Sequence, residues 1–203
     1  MLRKLRLNAS LGGWHRFDAR KASKGFDAFA EKVHQRDNHT CQFCGFQASS
    51  YMEVINLDGD YKNNVIDNMV TACPLCTQCQ FLEQAGQGDT GGGSLIYMPE
   101  VTANQLNGLC HVLFCAMSNA STYYADAQTI YRELKMRSQI VEKHFGEGLS
   151  DPAVFGRALL DSHVENTREK GLALLKDVRL LPSRSRFKTL VDHWAQAAAG
   201  SIA

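Results

Sequence analysis

The sequence lacks a hydrophobic run long enough to cross a membrane. Its longest apolar stretch, Gly108 to Met117, contains His111 and is about half of the ~20 residues that a bilayer requires. Residues 2–11 begin with basic character but lack the apolar run of a secretory signal peptide. We therefore expect a soluble protein of a reducing compartment, with no membrane span of its own.

Acidic residues are scarce at the start of the chain. Between Met1 and Gly25, seven Lys and Arg residues face a single acidic residue, Asp18, whereas the other 178 residues carry 15 basic and 20 acidic side chains. The net charge of +1 hides this asymmetry. A basic arm suits an acidic partner, an anionic membrane surface or a nucleic acid, or it is a solvated tail that aids solubility. The acidic remainder argues against broad nucleic-acid binding.

Cysteine is the residue type that points to chemistry. Of the seven cysteines, four form two Cys-x-x-Cys pairs, Cys41 with Cys44 and Cys73 with Cys76, separated by 28 residues. The two-residue gap lets both sulfurs of a pair turn toward one ion, and four thiolates enclose a tetrahedral Zn²⁺ without leaving a position for substrate. The pattern therefore predicts one structural zinc ion.

Two other interpretations of the cysteines are open. The four could be buried by coincidence, or one pair could be a redox dithiol, although no βαβ pattern surrounds either pair. Cys79 lies one turn after Cys76 and could compete as a ligand, but we assign it to a packed helix face. Cys110 and Cys115 lie on or near an apolar stripe and are expected in the core.

The residues around the cysteine pairs resemble an HNH (treble-clef, ββα-metal) nuclease module. The resemblance lies in residues 36–45, in the strand that Val54 opens, and in residues 66–70 before the second pair. Active HNH nucleases carry a His on the first strand that acts as general base, usually beside another His or an Asp. A further His after the second pair helps to hold a catalytic metal ion.

The catalytic residues that the resemblance implies are missing. Ile55 and Asn56 stand where the strand should carry its base, Thr77 stands at the position of the later His, and only Asn68 keeps the residue of the motif. An amide has no titratable proton near neutral pH, and isoleucine cannot bind a metal. We therefore expect an inactive scaffold. His34 and His39 could take over a catalytic role, but surface or capping histidines are the simpler interpretation.

The pattern of the whole chain predicts an α+β, mostly helical fold, in which a small treble-clef (HNH-like) zinc module precedes a helical half. A strand is predicted over residues 51–57, an extended segment over 95–99, and the remaining elements are helices. The expected helix starts are Phe26, Thr102, Ser121 and Asp151-Pro152, with later helices over residues 165–175 and around Trp194. His111, His144, His163 and His193 show no metal-binding spacing and are assigned structural or surface roles.

Four segments follow from these features. Five glycines between Glu83 and Ser94 indicate a flexible linker, because no Gly-Lys-Ser/Thr motif accompanies them. The segments are a basic N-terminal arm at residues 1–25, an HNH-like zinc module at 26–82, a Gly-rich linker at 83–94 and a helical domain at 95–203.

A second resemblance is carried by four parts of the chain: the degenerate module, residues 95–100, the helical C-terminal half and residues 179–184. In this combination the chain resembles the IcmJ (DotN) family of the Dot/Icm type IVB secretion system. The resemblance covers essentially the whole chain. It implies a non-enzymatic, cytoplasmic adaptor of the coupling complex, held at the inner membrane through that complex. Its expected partners are the C-terminal extension of the coupling ATPase and other coupling-complex subunits, with which it helps to form the platform that receives effector proteins.

The alternative is a nucleic-acid-binding protein or a cryptic HNH endonuclease that keeps the substrate groove of the scaffold. A basic stripe on the zinc module would favour this alternative. Residues 41–76 contain only one basic residue, Lys62, so we expect no nucleic-acid partner.

Overall fold

The computed structural model describes residues 2–119, 121–161 and 175–200. Helices predominate and the strands form two small sheets, which agrees with the predicted α+β class. No helix within the described ranges is both long and apolar enough to cross a bilayer. The helices are α1 Gly13–Lys21, α2 Phe26–Arg36, α3 Pro74–Thr77, α4 Ala103–Ser118, α5 Tyr124–Met136, α6 Ser138–Phe145, α7 Pro152–Asp161 and α8 Lys188–Gly200, and the strands are β1 Glu53–Asn56, β2 Met69–Ala72, β3 Gly93–Tyr97 and β4 Val178–Pro182.

Both sheets are antiparallel pairs of strands. β1 pairs with β2, so that Glu53 lies opposite Ala72 and Asn56 opposite Met69. β3 pairs with β4, and the predicted extended segment after the glycines is thereby confirmed. The sequence interpretation missed β4, because it treated Leu181-Pro182 only as the end of a helix. That predicted helix, over residues 165–175, and His163 lie almost entirely outside the described residues.

Local capping residues set two helix starts as predicted. Thr102 and Gln105 form a capping box at the start of α4, in which the Thr102 hydroxyl accepts the Gln105 N–H and the Gln105 side chain accepts the Thr102 N–H. Asp151 Oδ1 accepts hydrogen bonds from the first N–H groups of α7. The N-cap predicted at Ser121 was two residues early: its hydroxyl accepts the Tyr123 N–H within a turn, Tyr123 is the N-cap, and α5 begins at Tyr124.

The basic N-terminal segment is packed into the core. Leu5 and Leu7 are buried, and the backbone of Asn8 is hydrogen-bonded to Cys79 and Leu82. Phe17 of α1 is fully buried, with its ring 5.1 Å from that of Phe81. These contacts remove apolar surface from water, so the segment is part of the folded body and not a solvated tail. Its charged side chains Arg3, Lys4 and Arg6 are exposed.

The Gly-rich segment is glycine-rich because it is closely packed. A Cβ on Gly93 would lie 2.0 Å from the Leu181 carbonyl oxygen, and one on Gly91, where φ is +38°, would lie 2.6 Å from Gln78 Oε1. Arg186 donates hydrogen bonds to the carbonyls of two further glycines in the segment. The interpretation as a flexible linker did not anticipate these contacts. The segment boundaries themselves remain predictions.

Candidate metal centre

The fold brings the four predicted cysteines together. Their sulfur atoms all lie within 4.8 Å of one another, and Cys44 Sγ is 3.6 Å from Cys73 Sγ. Sulfurs that bind a tetrahedral zinc at 2.3 Å are about 3.8 Å apart, which matches this spacing. A disulfide would need about 2.05 Å. The donor set and its geometry therefore fit one tetrahedral metal ion that prefers sulfur, and all four cysteines would hold it.

Tight turns of the backbone aim the sulfurs inward. After Cys41 the chain reverses, because Gly45 donates its N–H to the Cys41 carbonyl with φ at +79° and Cys41 donates to Phe46. Cys73 precedes the first residue of α3, and its carbonyl accepts the N–H groups of Cys76 and Thr77. Pro74 suits this first helical position because it has no N–H to satisfy. The chain thus runs from the first cysteine pair through the β1–β2 hairpin to the second pair at the start of α3.

Two buried side chains of α4 contact the sulfurs from outside the cluster. His111 Nε2 lies 3.2 Å from Cys73 Sγ, and its ring is stacked on Phe46 with the centroids 3.7 Å apart. Asn107 donates its amide N–H to Cys76 Sγ at 3.3 Å. N–H donors spread the negative charge of metal-bound thiolates and orient them. Sequence reasoning missed both residues, although their spacing of four places them on one face of α4.

The cysteines outside the cluster are arranged differently. Cys79 is buried, its thiol lies 3.6 Å from the Leu75 carbonyl oxygen, and burial raises its pKa to about 12. Burial likewise raises the pKa of the Cys110 thiol. Both therefore remain thiols at neutral pH and behave as small core residues, as the sequence predicted.

Within the cluster, the pKa values of the thiols are shifted in opposite directions. The hydrogen bond with Cys41 lowers the pKa of the Cys44 thiol far below its ordinary value, whereas burial raises the pKa of Cys73 and Cys76. Several buried thiolates cannot be accommodated together without a compensating positive charge. A divalent cation at the centre of the cluster would supply that charge.

The first two nuclease-like positions are buried in a structural network. Ile55 is 1% exposed and Asn56 is 3% exposed. The Asn56 carbonyl oxygen accepts a hydrogen bond from Arg20 Nη1, and its amide nitrogen donates to the carbonyls of Asp60 and Asn63 at 2.8 Å each. Both N–H donors of the amide are thus committed to the fold, and its oxygen accepts from Arg20.

Arg20 of α1 packs against the end of the β1–β2 hairpin at which Asn56 lies. Its Nη2 also donates to the Val54 carbonyl, and its guanidinium lies 4.7 Å from the ring centre of Phe26 and 5.1 Å from that of Tyr61. No carboxylate pairs with it among the described residues. Burial lowers the pKa of the Arg20 guanidinium, although its ordinary value is so high that it stays charged.

The two histidines before the first pair have partners of their own. His34 Nδ1 is 3.0 Å from the Thr71 hydroxyl, and burial lowers the pKa of the His34 imidazole. His39 Nε2 lies 3.8 Å from a Glu31 oxygen. These contacts give both residues roles in joining α2 to its surroundings.

A groove of about 720 Å³ opens beside α3. It contains the third nuclease-like position, Thr77, which is 2% exposed. Its walls come from α1, from the start of β1, from the Gly-rich segment and from α8. Its lining residues include Trp14, Asp18, Tyr51, Gln78, Asp89 and Phe187.

Comparison with known proteins gives one strong match. The chain is 54% identical over 201 residues to the "Type 4 apparatus protein DotN" of Legionella pneumophila subsp. pneumophila (strain Philadelphia 1), and the match covers 98% of this chain and 92% of that protein. No protein-family model matches the chain.

Proposed function

Because the chain belongs to the family of the type 4 apparatus protein DotN, we propose that it is a non-enzymatic adaptor of a type IVB secretion system. In this role it binds the C-terminal extension of the coupling ATPase and helps to build the platform that receives effector proteins. It would act on the cytoplasmic side of the inner membrane, held there by the complex. The observation that carries the proposal is the 54% identity over almost the full length of both chains.

The positions expected for catalysis support a non-enzymatic role. The Asn56 amide donates to two backbone carbonyls and accepts a hydrogen bond from Arg20. A general base needs a titratable group within reach of the proton that it removes, and the amide offers none. Thr77 provides a hydroxyl where the resemblance requires an imidazole for the metal.

Zinc would serve this protein as a structural ion. Cys41, Cys44, Cys73 and Cys76 supply four sulfurs within 4.8 Å of one another, which leaves no coordination position for substrate. The ion would join the first cysteine turn to the start of α3. His111 and Asn107 would fasten the same centre to α4, and so connect it to the helical half of the chain.

The direct test is a binding measurement with the partner. We expect the purified protein to bind the purified C-terminal extension of the coupling ATPase in a calorimeter without any nucleotide. Cys73→Ser should abolish the binding and Cys115→Ser should leave it intact, because only Cys73 belongs to the metal centre. A pull-down from native membranes, analysed by mass spectrometry, should recover coupling-complex subunits. Absence of those subunits from the wild-type sample would contradict the proposal.

The contribution of the basic N-terminal segment to binding is tested by charge reversal and not by deletion. Removing residues 1–24 would also remove Leu5, Leu7 and Phe17 from the core. Charge reversal by Arg3→Glu, Lys4→Glu and Arg6→Glu changes only exposed side chains. We expect this variant to keep most of its affinity at physiological salt. Loss of binding in the variant, together with a steep fall of wild-type binding with salt, would show that the basic segment is the binding element.

A further inference from the structure

The groove beside α3 has polar groups in its wall that the protein leaves unsatisfied. The Thr77 hydroxyl and the Gln78 amide nitrogen are buried and have no hydrogen-bond partner within the described part of the chain. Gln78 Oε1 accepts the N–H of Gly92 at 2.8 Å, which fixes the orientation of the amide. Its NH₂ group is therefore left as a donor without an acceptor. Buried donors of this kind are costly unless a partner supplies the missing acceptor.

The acidic side chains of the groove, Asp18, Glu53 and Asp89, outnumber its basic ones, Lys21 and Arg186. Among its charged side chains, Lys21 is paired with Glu53 at 2.8 Å and Arg186 donates to backbone carbonyls. Asp18 and Asp89 are exposed and have no ion-pair partner among the described residues. The two unpaired carboxylates therefore favour a cationic group on the part of a partner that lies next to Asp18 and Asp89, away from Arg186.

The remaining walls are suited to a large apolar side chain. Trp14 is half-buried, Phe187 is buried, and Tyr51 is 47% exposed at the edge of the groove. Binding energy at protein interfaces is concentrated where aromatic residues enclose a partner side chain and exclude water. The groove volume of about 720 Å³ lies within the range that binds ligands of moderate size.

We propose that this groove binds an extended peptide segment of a partner subunit, in which a large apolar side chain stands next to a Lys or Arg. The apolar side chain lies among the aromatic walls, the cation faces Asp18 and Asp89, and a main-chain carbonyl accepts the Gln78 amide N–H. An extended chain presents such carbonyls at regular intervals, whereas a helix uses its own internally. This inference rests on the proposed adaptor function and adds the site and the chemistry of the segment.

Photo-crosslinking in native cells tests the site. The photoreactive residue p-benzoylphenylalanine replaces Tyr51 at the groove, or Tyr123, which is 69% exposed and is not a groove residue, as the matched control. We expect Tyr51 to crosslink to a secretion-apparatus subunit, through a segment with a large apolar residue beside a Lys or Arg, and Tyr123 not to reach that segment. Mass spectrometry of the crosslinked peptide identifies the segment.

Substitutions in the same full-length protein test the chemistry. Thr189→Trp should fill the groove and lower the crosslink yield from Tyr51 at least about tenfold, whereas Thr129→Trp on the exposed side of α5 should not. Asp18→Lys combined with Asp89→Lys should weaken binding of the identified segment by about tenfold. Asp27→Lys combined with Asp126→Lys carries the same change of charge outside the groove, and should leave the binding unchanged.

The outcomes separate this inference from the proposed function. If apparatus subunits co-purify with the wild-type protein but crosslink only from Tyr123, the groove is the wrong site and the adaptor function stands. A Tyr51 crosslink to a nucleic acid, to a second copy of this chain or to an acidic segment would overturn the proposed chemistry. If no apparatus subunit co-purifies, the adaptor function itself fails.

Discussion

The β1–β2 hairpin has a buried polar cluster at each end, and the two clusters are completed in different ways. At one end, Cys73 and Cys76 follow β2 and meet Cys41 and Cys44, which precede β1, so that four sulfurs lie close together. At the other end, Asn56 accepts a hydrogen bond from Arg20, and both side chains also donate to backbone carbonyls of the chain. The resemblance to HNH nucleases would require a general base at the Asn56 end.

The difference shows what kind of support each cluster requires. Thiolates gathered in the interior repel one another, and the contacts that His111 and Asn107 make with them from α4 are hydrogen-bond contacts with single sulfurs. The Arg20 guanidinium instead replaces its lost hydration with carbonyl oxygens and aromatic faces. We therefore expect the cysteine cluster to depend on an ion from outside, and the Arg20–Asn56 cluster to depend only on the chain.

Loss of a cysteine should have the largest effect. Structural zinc supplies about 10–16 kcal/mol of apparent binding free energy in small zinc peptides, as much as the whole stability of a domain. Cys44→Ser or Cys73→Ser should therefore unfold the protein or make it insoluble, while Cys115→Ser should not. Elemental analysis should find one zinc per wild-type chain. Wild-type protein that is folded without zinc, or a Cys73→Ser variant that melts like the wild type, would contradict the expectation that the cysteine cluster depends on a metal ion.

Arg20→Met should have the next largest effect. The substitution removes the donors to Asn56 and Val54 from a buried site, and we expect the free energy of unfolding to fall by about 2–3 kcal/mol. Urea denaturation measures this, and Arg16→Met on the exposed face of the same helix is the control. The zinc content per folded chain should stay at one. Loss of zinc in folded Arg20→Met protein would mean that the two clusters are not independent.

His111→Ala should weaken the metal centre without destroying it. Removing a donor to a metal ligand typically lowers metal affinity by about 10–100-fold. Competition with a chelator should detect that loss, and excess zinc should restore the wild-type melting temperature. His193→Ala, on the exposed face of α8, provides the matched control. Equal zinc affinity in the two variants would show that the 3.2 Å contact between His111 and Cys73 contributes nothing.

Asn56→His should have the smallest effect on activity, which we expect to remain at zero. The new imidazole would lie against Arg20, and Ile55 and Thr77 would still leave a catalytic metal poorly held. Incubation of wild type and variant with DNA and Mg²⁺, Mn²⁺ or Zn²⁺ checks this. Metal-dependent cleavage by the wild type that disappears in His39→Ala would revive the nuclease alternative.

The sequence by itself determined the features that depend on short stretches of chain. Two cysteines separated by two residues can face one ion because a single turn brings them together, so both pairs were recognisable by spacing. The starts of α4 at Thr102 and α7 at Asp151 follow from hydrogen bonds within one turn. The absence of histidine at positions 55, 56 and 77 was equally plain, because the identity of a residue does not depend on the fold.

The tertiary structure alone decided the features that depend on distant residues. Arg20 reaches Asn56 across 36 positions, His111 reaches Cys73 across 38, and β4 pairs with a strand more than 80 positions earlier. No local pattern identifies such partners, because each is selected by the burial of apolar surface from the whole chain and by the polar groups that this burial must then satisfy. For the same reason, the basic charges at the start of the chain did not reveal that Leu5, Leu7 and Phe17 beside them belong to the core.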